Sequence, residues 1–454
     1  MRLAVEVALA RTAGRLSRLT GYGGGTTVPG KLLTSIDRRA LSRLGARLPS
    51  GSVVVSATNG KTTTARMASA ILTPHYRLAH NAAGANLASG VASALIGARE
   101  AELGLFEVDE AALPDIVEAI EPRVICLGNL FRDQLDRYGE LELVAERWRA
   151  MVDALPREAV LIVNGDDPLV AHLAHDRPKS ATFGVDDPPQ RGATLQHAAD
   201  SKYCVRCGTP YDYAAAYVGH LGDYRCPSCG HGRPALHVIA RAIELRGLEP
   251  TRFVLVMPEG ERGVRLAVPG LYNVYNALAA ASLAHSVGAT LDEIVAGLEA
   301  FSAAFGRFER IAIGDRSVLM LLIKNPAGAN EAVRTIVEGG APRLAVVALN
   351  DAIADGRDVS WIWDVDFEPL GAGLEKLIAT GDRAAELALR FKYGGLDSAA
   401  IEVVPELECA LDRGLELTRA GGELTVLPTY TAMLALRKIV AARGYVRPYW
   451  ERAA

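Results

Sequence analysis

Residues 53–64 restrict the fold more than any other stretch of this chain. Val53-Val54-Val55 runs directly into Ser56-Ala57-Thr58-Asn59-Gly60-Lys61-Thr62-Thr63-Thr64, and a helical stretch follows. An apolar strand, a tight loop and a helix amino terminus make an anion cradle, because free N–H groups and the helix dipole point at the phosphates. In such a loop Lys61 reaches the β- and γ-phosphates of a nucleotide, and the Thr62 hydroxyl sits on Mg²⁺. The general pattern has a glycine where Val55 stands. The bland alternative is a helix cap with a chance Gly-Lys-Thr; the strand before it and the helix after it argue against that. ATP with Mg²⁺ is therefore expected at Thr58, Asn59, Gly60, Lys61, Thr62 and Thr63.

The loop sits in an α/β pattern. Short apolar runs at 52–55, 104–108, 123–127 and 159–163 read as buried parallel strands separated by helical stretches, a doubly wound domain. With 454 residues, two or three domains are expected. Before the first strand come an amphipathic helix, a glycine-rich loop from Gly21 to Gly30, and a second helix predicted over about Asp37–Leu48. The α/β pattern resumes with a long helix near Asn273–Val287. After a break near Ser302–Arg310, strands are expected at about 318–323, 343–348, 376–379 and 423–427. No tandem repeat is visible.

Between about Ser201 and Pro234 the composition changes, and the segment reads as an inserted module. It holds Cys204-Val205-Arg206-Cys207 and Cys226-Pro227-Ser228-Cys229, with 18 residues between the two knuckles. Each knuckle turns two thiolates toward one point, so Cys204, Cys207, Cys226 and Cys229 are expected to close a tetrahedral Zn²⁺ site. Four thiolates leave no open position, which makes the zinc structural; a redox role is the alternative. His220 and His231 read as ordinary surface residues.

A formal charge of −4 gives no broad cationic surface, so nucleic acid is not an expected partner. No apolar run reaches the roughly 18 residues that span a bilayer. Arg11, Arg15 and Arg18 break up the amino-terminal stretch, which reads as a helix docked on the protein and not as a signal peptide or membrane anchor. A cytoplasmic location follows as the expectation, and there cysteines serve metals or remain free.

Thr-Asn-Gly-Lys-Thr-Thr resembles the loop of the Mur ligases and folylpolyglutamate synthetases, and further matches follow in order. Phe106-Glu107-Val108-Asp109-Glu110 stands where that family keeps a magnesium-binding glutamate, which makes Glu107 the candidate. Asp133-Gln134-Leu135-Asp136 is similar to its D-H-x-D segment, and Asn164-Gly165-Asp166-Asp167 to its N-x-D-D turn. Gly270–Asn276 resembles the segment near the adenine, with Asn273 as the contact. Gly306-Arg307-Phe308-Glu309 resembles the entry to the carboxyl-terminal domain, where the arginine meets the phosphates. The resemblance implies a helical segment over 1–48, a central ATP-binding domain over 49–305 with 201–234 inserted, and a Rossmann-like ligase domain over 306–454.

Two departures narrow the reading. Gln134 replaces the family's histidine, and Ala145-Glu146-Arg147-Trp148-Arg149 lacks the lysine that ordinary Mur ligases carbamylate. Guanidinium stays protonated and does not form that carbamate, so a second magnesium site is in doubt. The cysteine insertion is instead a mark of MurT-type subunits, as is Lys324-Asn325-Pro326-Ala327-Gly328, which is expected to face the acceptor.

The stretch from Leu349 to Glu368 carries six acids and two tryptophans in a loop after a strand, where α/β folds build sites. Trp361 and Trp363 read equally well as core. The MurT resemblance implies that one aspartate here completes a Cys–His–Asp triad whose cysteine and histidine belong to a GatD-type glutaminase subunit. Asp355 leads, followed by Asp358 and Asp351; Asp351 could instead meet the ribose. Outside the insertion only Cys126 and Cys409 remain, and neither sits in a nucleophile elbow. The resemblance thus implies ATP-dependent amidation of the D-glutamate α-carboxylate of lipid II, with ammonia from that partner. The rivals are a stand-alone ligase that adds an amino acid and a zinc-ribbon ATPase acting on nucleic acid.

Overall fold

Alternate residues of a strand face opposite sides of its sheet, and the central strands of this chain are apolar on both. The computed structural model describes residues 2–19, 27–81, 85–133, 141–188, 195, 199–301 and 308–447. In chain order the strands are β1 (Ser52–Ser56), β2 (Leu78–His80), β3 (Leu103–Glu107), β4 (Val124–Leu127), β5 (Val160–Asn164), β6 (Ser180–Val185), β7 (Asp212–Val218), β8 (Leu221–Arg225) and β9 (Val238–Glu244). They continue as β10 (Thr251–Met257), β11 (Gly260–Leu266), β12 (Phe308–Ile313), β13 (Arg316–Leu321), β14 (Leu344–Ala348), β15 (Lys376–Thr380), β16 (Ile401–Val403) and β17 (Glu423–Pro428).

Among the described residues, nine strands form one sheet in the order β11-β10-β9-β6-β5-β4-β1-β3-β2. It is parallel from β2 across to β9, and β10 and β11 close it as an antiparallel edge. Val53, Val55, Leu105 and Cys126 face the core beneath the helices Lys61–Leu72 and Leu271–Ser286. Val54, Phe106, Ile125 and Leu127 face the opposite core. The register decides the site. Val55 lies opposite Glu107, so the carboxylate at the end of β3 is on the same face as the helix that follows β1. A second sheet of six strands, β12-β13-β17-β14-β15-β16, is parallel except for β12. The expected α/β architecture, a mostly parallel sheet followed by a second α/β unit, is what the chain adopts.

The predicted strands all form within a residue or two. The amino-terminal region differs. The helix expected over Asp37–Leu48 forms as the shorter Ala40–Gly45, and a further helix, Val28–Ile36, precedes it, beginning inside the expected glycine-rich loop. Pro29 occupies the first turn of a helix, where its missing N–H costs nothing, and Gly30 admits the backbone of Ser89 at a distance a Cβ would forbid. The helix Arg2–Leu19 docks as expected: Val7 and Ala10 are buried, and Arg11 Nε donates to Ile96 O at 3.0 Å. No helix among the described residues is long and apolar enough to cross a membrane. The expected boundary between residues 305 and 306 lies outside the described residues.

Candidate active site

The loop after β1 turns at Gly60, whose φ of 90° is left-handed and whose missing Cβ makes room for the Asn276 side chain. Lys61 then opens the helix Lys61–Leu72. Its Nζ lies 2.5 Å from Glu110 Oε2 and 2.5 Å from Ala57 O, nearly shut off from solvent. The Thr62 hydroxyl donates to Glu107 Oε1 at 2.8 Å. Glu107 is fixed in turn by Asn81, which accepts its N–H at 3.0 Å and donates to its carbonyl at 2.8 Å. Lys61, Thr62 and Glu107, all expected at the phosphates and their metal, lie together at the start of one helix.

Thr58 and Asn59 are held from β4's side. Thr58 N donates to Asn129 O at 2.8 Å, Asn59 N donates to Asn129 Oδ1 at 2.9 Å, and Asn129 Nδ2 returns a bond to Asn59 O at 3.0 Å. Glu110 and Asn129 were not singled out from sequence. Gly128-Asn129 directly follows an apolar strand, and that position was the available signal. Asn273 is buried, donates to Pro269 O at 2.7 Å and accepts from Asn276 Nδ2 at 3.1 Å. Asn276 also accepts from the Thr64 hydroxyl at 3.3 Å, so the helix Leu271–Ser286 is fastened to the phosphate loop. Asn59, Gly60, Thr63 and Asn273 line one cleft with the aromatic rings of Tyr272 and Phe301.

The carboxyl-terminal unit forms the other wall. Asn325 caps the helix Pro326–Glu338 by accepting from Gly328 N at 2.9 Å, and its amide pairs with that of Asn59 at 3.0 and 3.3 Å. Lys324 Nζ lies 2.5 Å from Asp133 Oδ2. Arg132 Nη1 comes within 3.6 Å of Asp364. Arg307, Gln134 and Asp136 lie outside the described residues. In the stretch without the family's lysine, Arg149 is taken up by the carbonyls of His172 and Leu173, and Trp148 Nε1 donates to Glu110 O at 2.9 Å.

The aspartates of the loop after β14 do not converge. Asp355 is only 4% exposed, and its carboxylate accepts Thr431 N at 2.8 Å and the Thr431 hydroxyl, at the start of the helix Tyr430–Ala442. Burial pushes its carboxyl up from the usual range, and the Thr431 donors pull it back. Asp358 is exposed and accepts Ser360 N at 2.8 Å, and the Ser360 hydroxyl and N–H together hold its carboxyl low. Asp351 pairs with Arg383 at 3.2 Å. Trp361 is half-buried against core and Trp363 half-exposed over Arg390.

In the insertion the thiols of Cys204, Cys207, Cys226 and Cys229 all lie within 4.8 Å of one another. Cys204 and Cys229 are 3.5 Å apart, as are Cys207 and Cys226. A tetrahedron with Zn–S bonds of about 2.3 Å has S···S edges of roughly 3.8 Å, and the four thiols are gathered at close to that spacing, a donor set that suits zinc. His220 departs from its expectation as a surface residue. It is fully buried, with Nε2 3.3 Å from Asp167 Oδ2 and its ring 4.6 Å from that of Phe131. It is carried inward on the turn between β7 and β8, a placement that residue type alone does not signal. His231 is half-buried, 2.8 Å from the Tyr211 hydroxyl.

Residues 322–433 match the family described as MurT ligase C-terminal, and residues 55–225 match the Mur ligase middle domain. The chain is 34% identical over 453 residues to the lipid II isoglutaminyl synthase (glutamine-hydrolyzing) subunit MurT of Streptococcus pneumoniae, which covers 98% of this chain and 99% of that one. The subunit of the same name from Staphylococcus aureus strain N315 is 30% identical over 441 residues, 95% and 96% of the two chains. Among solved structures, a pseudomurein peptide ligase type C from Methanothermus fervidus superposes with a TM-score of 0.66 at 21% identity, over 86% of this chain and 78% of that one. That likeness concerns the fold.

Proposed function

Because the chain belongs to the MurT family, we propose that it is the ligase subunit of a lipid II isoglutaminyl synthase, activating the D-glutamate α-carboxylate of the stem peptide for amidation. The observation that carries the reading is the convergence of Lys61, Thr62 and Glu107 on one phosphate loop, whose Asn59 pairs with Asn325 and lines a cleft together with Gly60 and Lys324. In this reading residues 58–63 would hold the phosphates of ATP and Asn273 would meet its base, and Arg307 keeps the phosphate role that the family resemblance implies.

Thr62 and Glu107 offer hard oxygen donors 2.8 Å apart, a set that suits Mg²⁺. When bound there, the cation offsets phosphate charge as it builds up. Lys61 adds a fixed positive charge to the same phosphates. A carboxylate oxygen of the substrate attacks the γ-phosphorus, and ADP leaves. The acyl phosphate hydrolyses in water, so the cleft must exclude water; the Asn59–Asn325 contact supports closure of the carboxyl-terminal unit on the loop. Ammonia then attacks the acyl carbon, phosphate departs with one former carboxylate oxygen, and one ammonia proton passes to the departing phosphate.

The ammonia comes from a GatD-type glutamine amidotransferase. Asp355 supplies the aspartate of its triad, with Asp358 and Asp351 as the lesser candidates. A triad aspartate is buried, held by donors, and orients the histidine's ring; Asp355 is held in this way by Thr431. The four cysteines hold a structural zinc and take no part in the chemistry. Residues 49–305 and 306–454 act as the two jaws, and the chain works from the cytoplasmic side on a membrane-bound substrate.

The test is oxygen transfer. With the α-carboxylate of lipid II labelled by ¹⁸O and ammonium as nitrogen source, one labelled oxygen per turnover should appear in inorganic phosphate. Unlabelled phosphate alongside amidated product would rule out the acyl phosphate. Turnover that appears only when an amino acid replaces ammonium, with that amino acid in the product, would return the chain to the ordinary ligases.

A further inference from the structure

The cysteine module reaches from its metal-type end into the nucleotide cleft. Its hairpin of β7 and β8 is exposed at Asp212 and Arg225, near the knuckles, and buried from Ala215 to Leu221 at the other end. The tip packs into the central core, and Val218 and Leu221 line the cleft beside Phe131, Tyr272, Tyr275 and Phe301. An apolar slot between aromatic rings, next to a phosphate loop, suits a flat heteroaromatic base.

The tip is held too firmly for a loose surface insertion. Gly219 has a φ of 57°, and a Cβ there would press on the Phe131 ring. His220 Nδ1 accepts Asp200 N at 3.4 Å, which puts the ring proton on Nε2, toward Asp167 Oδ2 at 3.3 Å. The same Asp167 oxygen accepts Leu130 N at 2.9 Å, and its Oδ1 caps the helix Pro168–Leu173. Gly222 N donates to Asp166 O at 2.9 Å. Asp166 Oδ2 accepts the Tyr275 hydroxyl at 2.7 Å, and Arg233 lies 3.3 Å from its Oδ1. The module is thus tied to a residue that itself lines the cleft. On the far side Tyr217 O accepts Arg334 Nη1 at 3.2 Å, a contact with the carboxyl-terminal helix Pro326–Glu338.

We propose that Val218 and Leu221, braced by the Asp167–His220 pair, are positioning residues for the purine base of ATP, and that Arg334 couples this wall to the carboxyl-terminal unit. The inference rests on the reading of the cleft as the ATP site. It assigns the inserted module a share in nucleotide recognition that the phosphate loop alone does not supply.

Binding of a non-hydrolysable ATP analogue and of inorganic tripolyphosphate, each with Mg²⁺, is measured by calorimetry on the full chain. Leu221→Ala and Val218→Ala should each weaken the analogue roughly tenfold and leave tripolyphosphate within about twofold. Leu221→Met, which keeps the volume, should restore analogue binding, and Lys61→Ala should lose both ligands. Unchanged analogue affinity in both alanine variants overturns the proposal. Equal losses for the analogue and tripolyphosphate also overturn it, because the tip would then only support the fold. A wild-type chain that binds tripolyphosphate but gains nothing from the nucleoside leaves the phosphate loop intact and removes the base site. Failure of the wild type to bind either ligand removes the ATP reading itself.

Discussion

The loop after β1 and the loop after β14 are both polar, both at the carboxyl ends of parallel strands, and built to opposite effect. In the first, Lys61 pairs with Glu110 and Thr62 with Glu107, so two strand ends meet at adjacent residues of one helix start. In the second, Asp355 turns to Thr431, Asp358 to Ser360 and Asp351 to Arg383, each toward its own partner. A site complete within one chain gathers its charges. A site that contributes one residue to another chain needs only that residue held still. This difference supports assigning activation to this subunit and ammonia production to a partner.

The largest effect should come from the gathered site. Lys61→Ala or Glu107→Gln should lower ammonium-driven ADP release with lipid II by about 10³-fold or more. A loss under tenfold would remove the first loop from the comparison. Next, Asp355→Asn should reduce glutamine-driven amidation in the assembled complex by about 10²-fold or more and spare ammonium-driven turnover, while Asp358→Asn spares both. If Asp358→Asn is the damaging change, the exposed aspartate serves the partner and Asp355 is only a helix cap.

Smaller effects test the module between the two loops. Cys226→Ser, or a strong chelator, should release about one zinc per chain and lower the melting temperature by about 5–10 °C. A chain that contains no zinc as purified, with an unchanged melting curve, would contradict the metal assignment. The smallest effect is a pH dependence. Burial pushes the Asp166 carboxyl from 3.8 up to about 6, despite Arg233 and Tyr275. The folded state therefore holds a proton that the unfolded chain releases, and this group costs stability as pH rises from about 4 to 6. Asp166→Asn should flatten that part of the profile in chemical unfolding; an unchanged slope would mean that the carboxyl ionises normally in the fold.

Much of the candidate site around the phosphate loop was legible because its chemistry is local. Strand, loop and helix are consecutive, so Val53–Thr64 predicts its own geometry, and the parallel register then brings Glu107 to Thr62. The cysteine knuckles were legible for the same reason. Asn129, Asn276 and Asn325 were harder to read, because each acts on the phosphate loop from a distant part of the chain. His220 was misread because its environment is set by where a hairpin tip is carried, and the knuckles that flank it carry no sign of that. The helix Val28–Ile36 was missed because Pro29 and Gly30 read as loop residues, whereas Pro29 fills its first turn and Gly30 packs against the backbone of Ser89.

The central claim is that this chain holds a whole activation site and only part of an ammonia-producing one. The most direct test is ADP release by the purified chain alone, with lipid II and Mg²⁺, supplied with either ammonium chloride or glutamine. Turnover with ammonium and none with glutamine, until a glutaminase subunit is added, is the predicted result. Glutamine-driven turnover by the chain alone, or turnover that requires an amino acid, would contradict it.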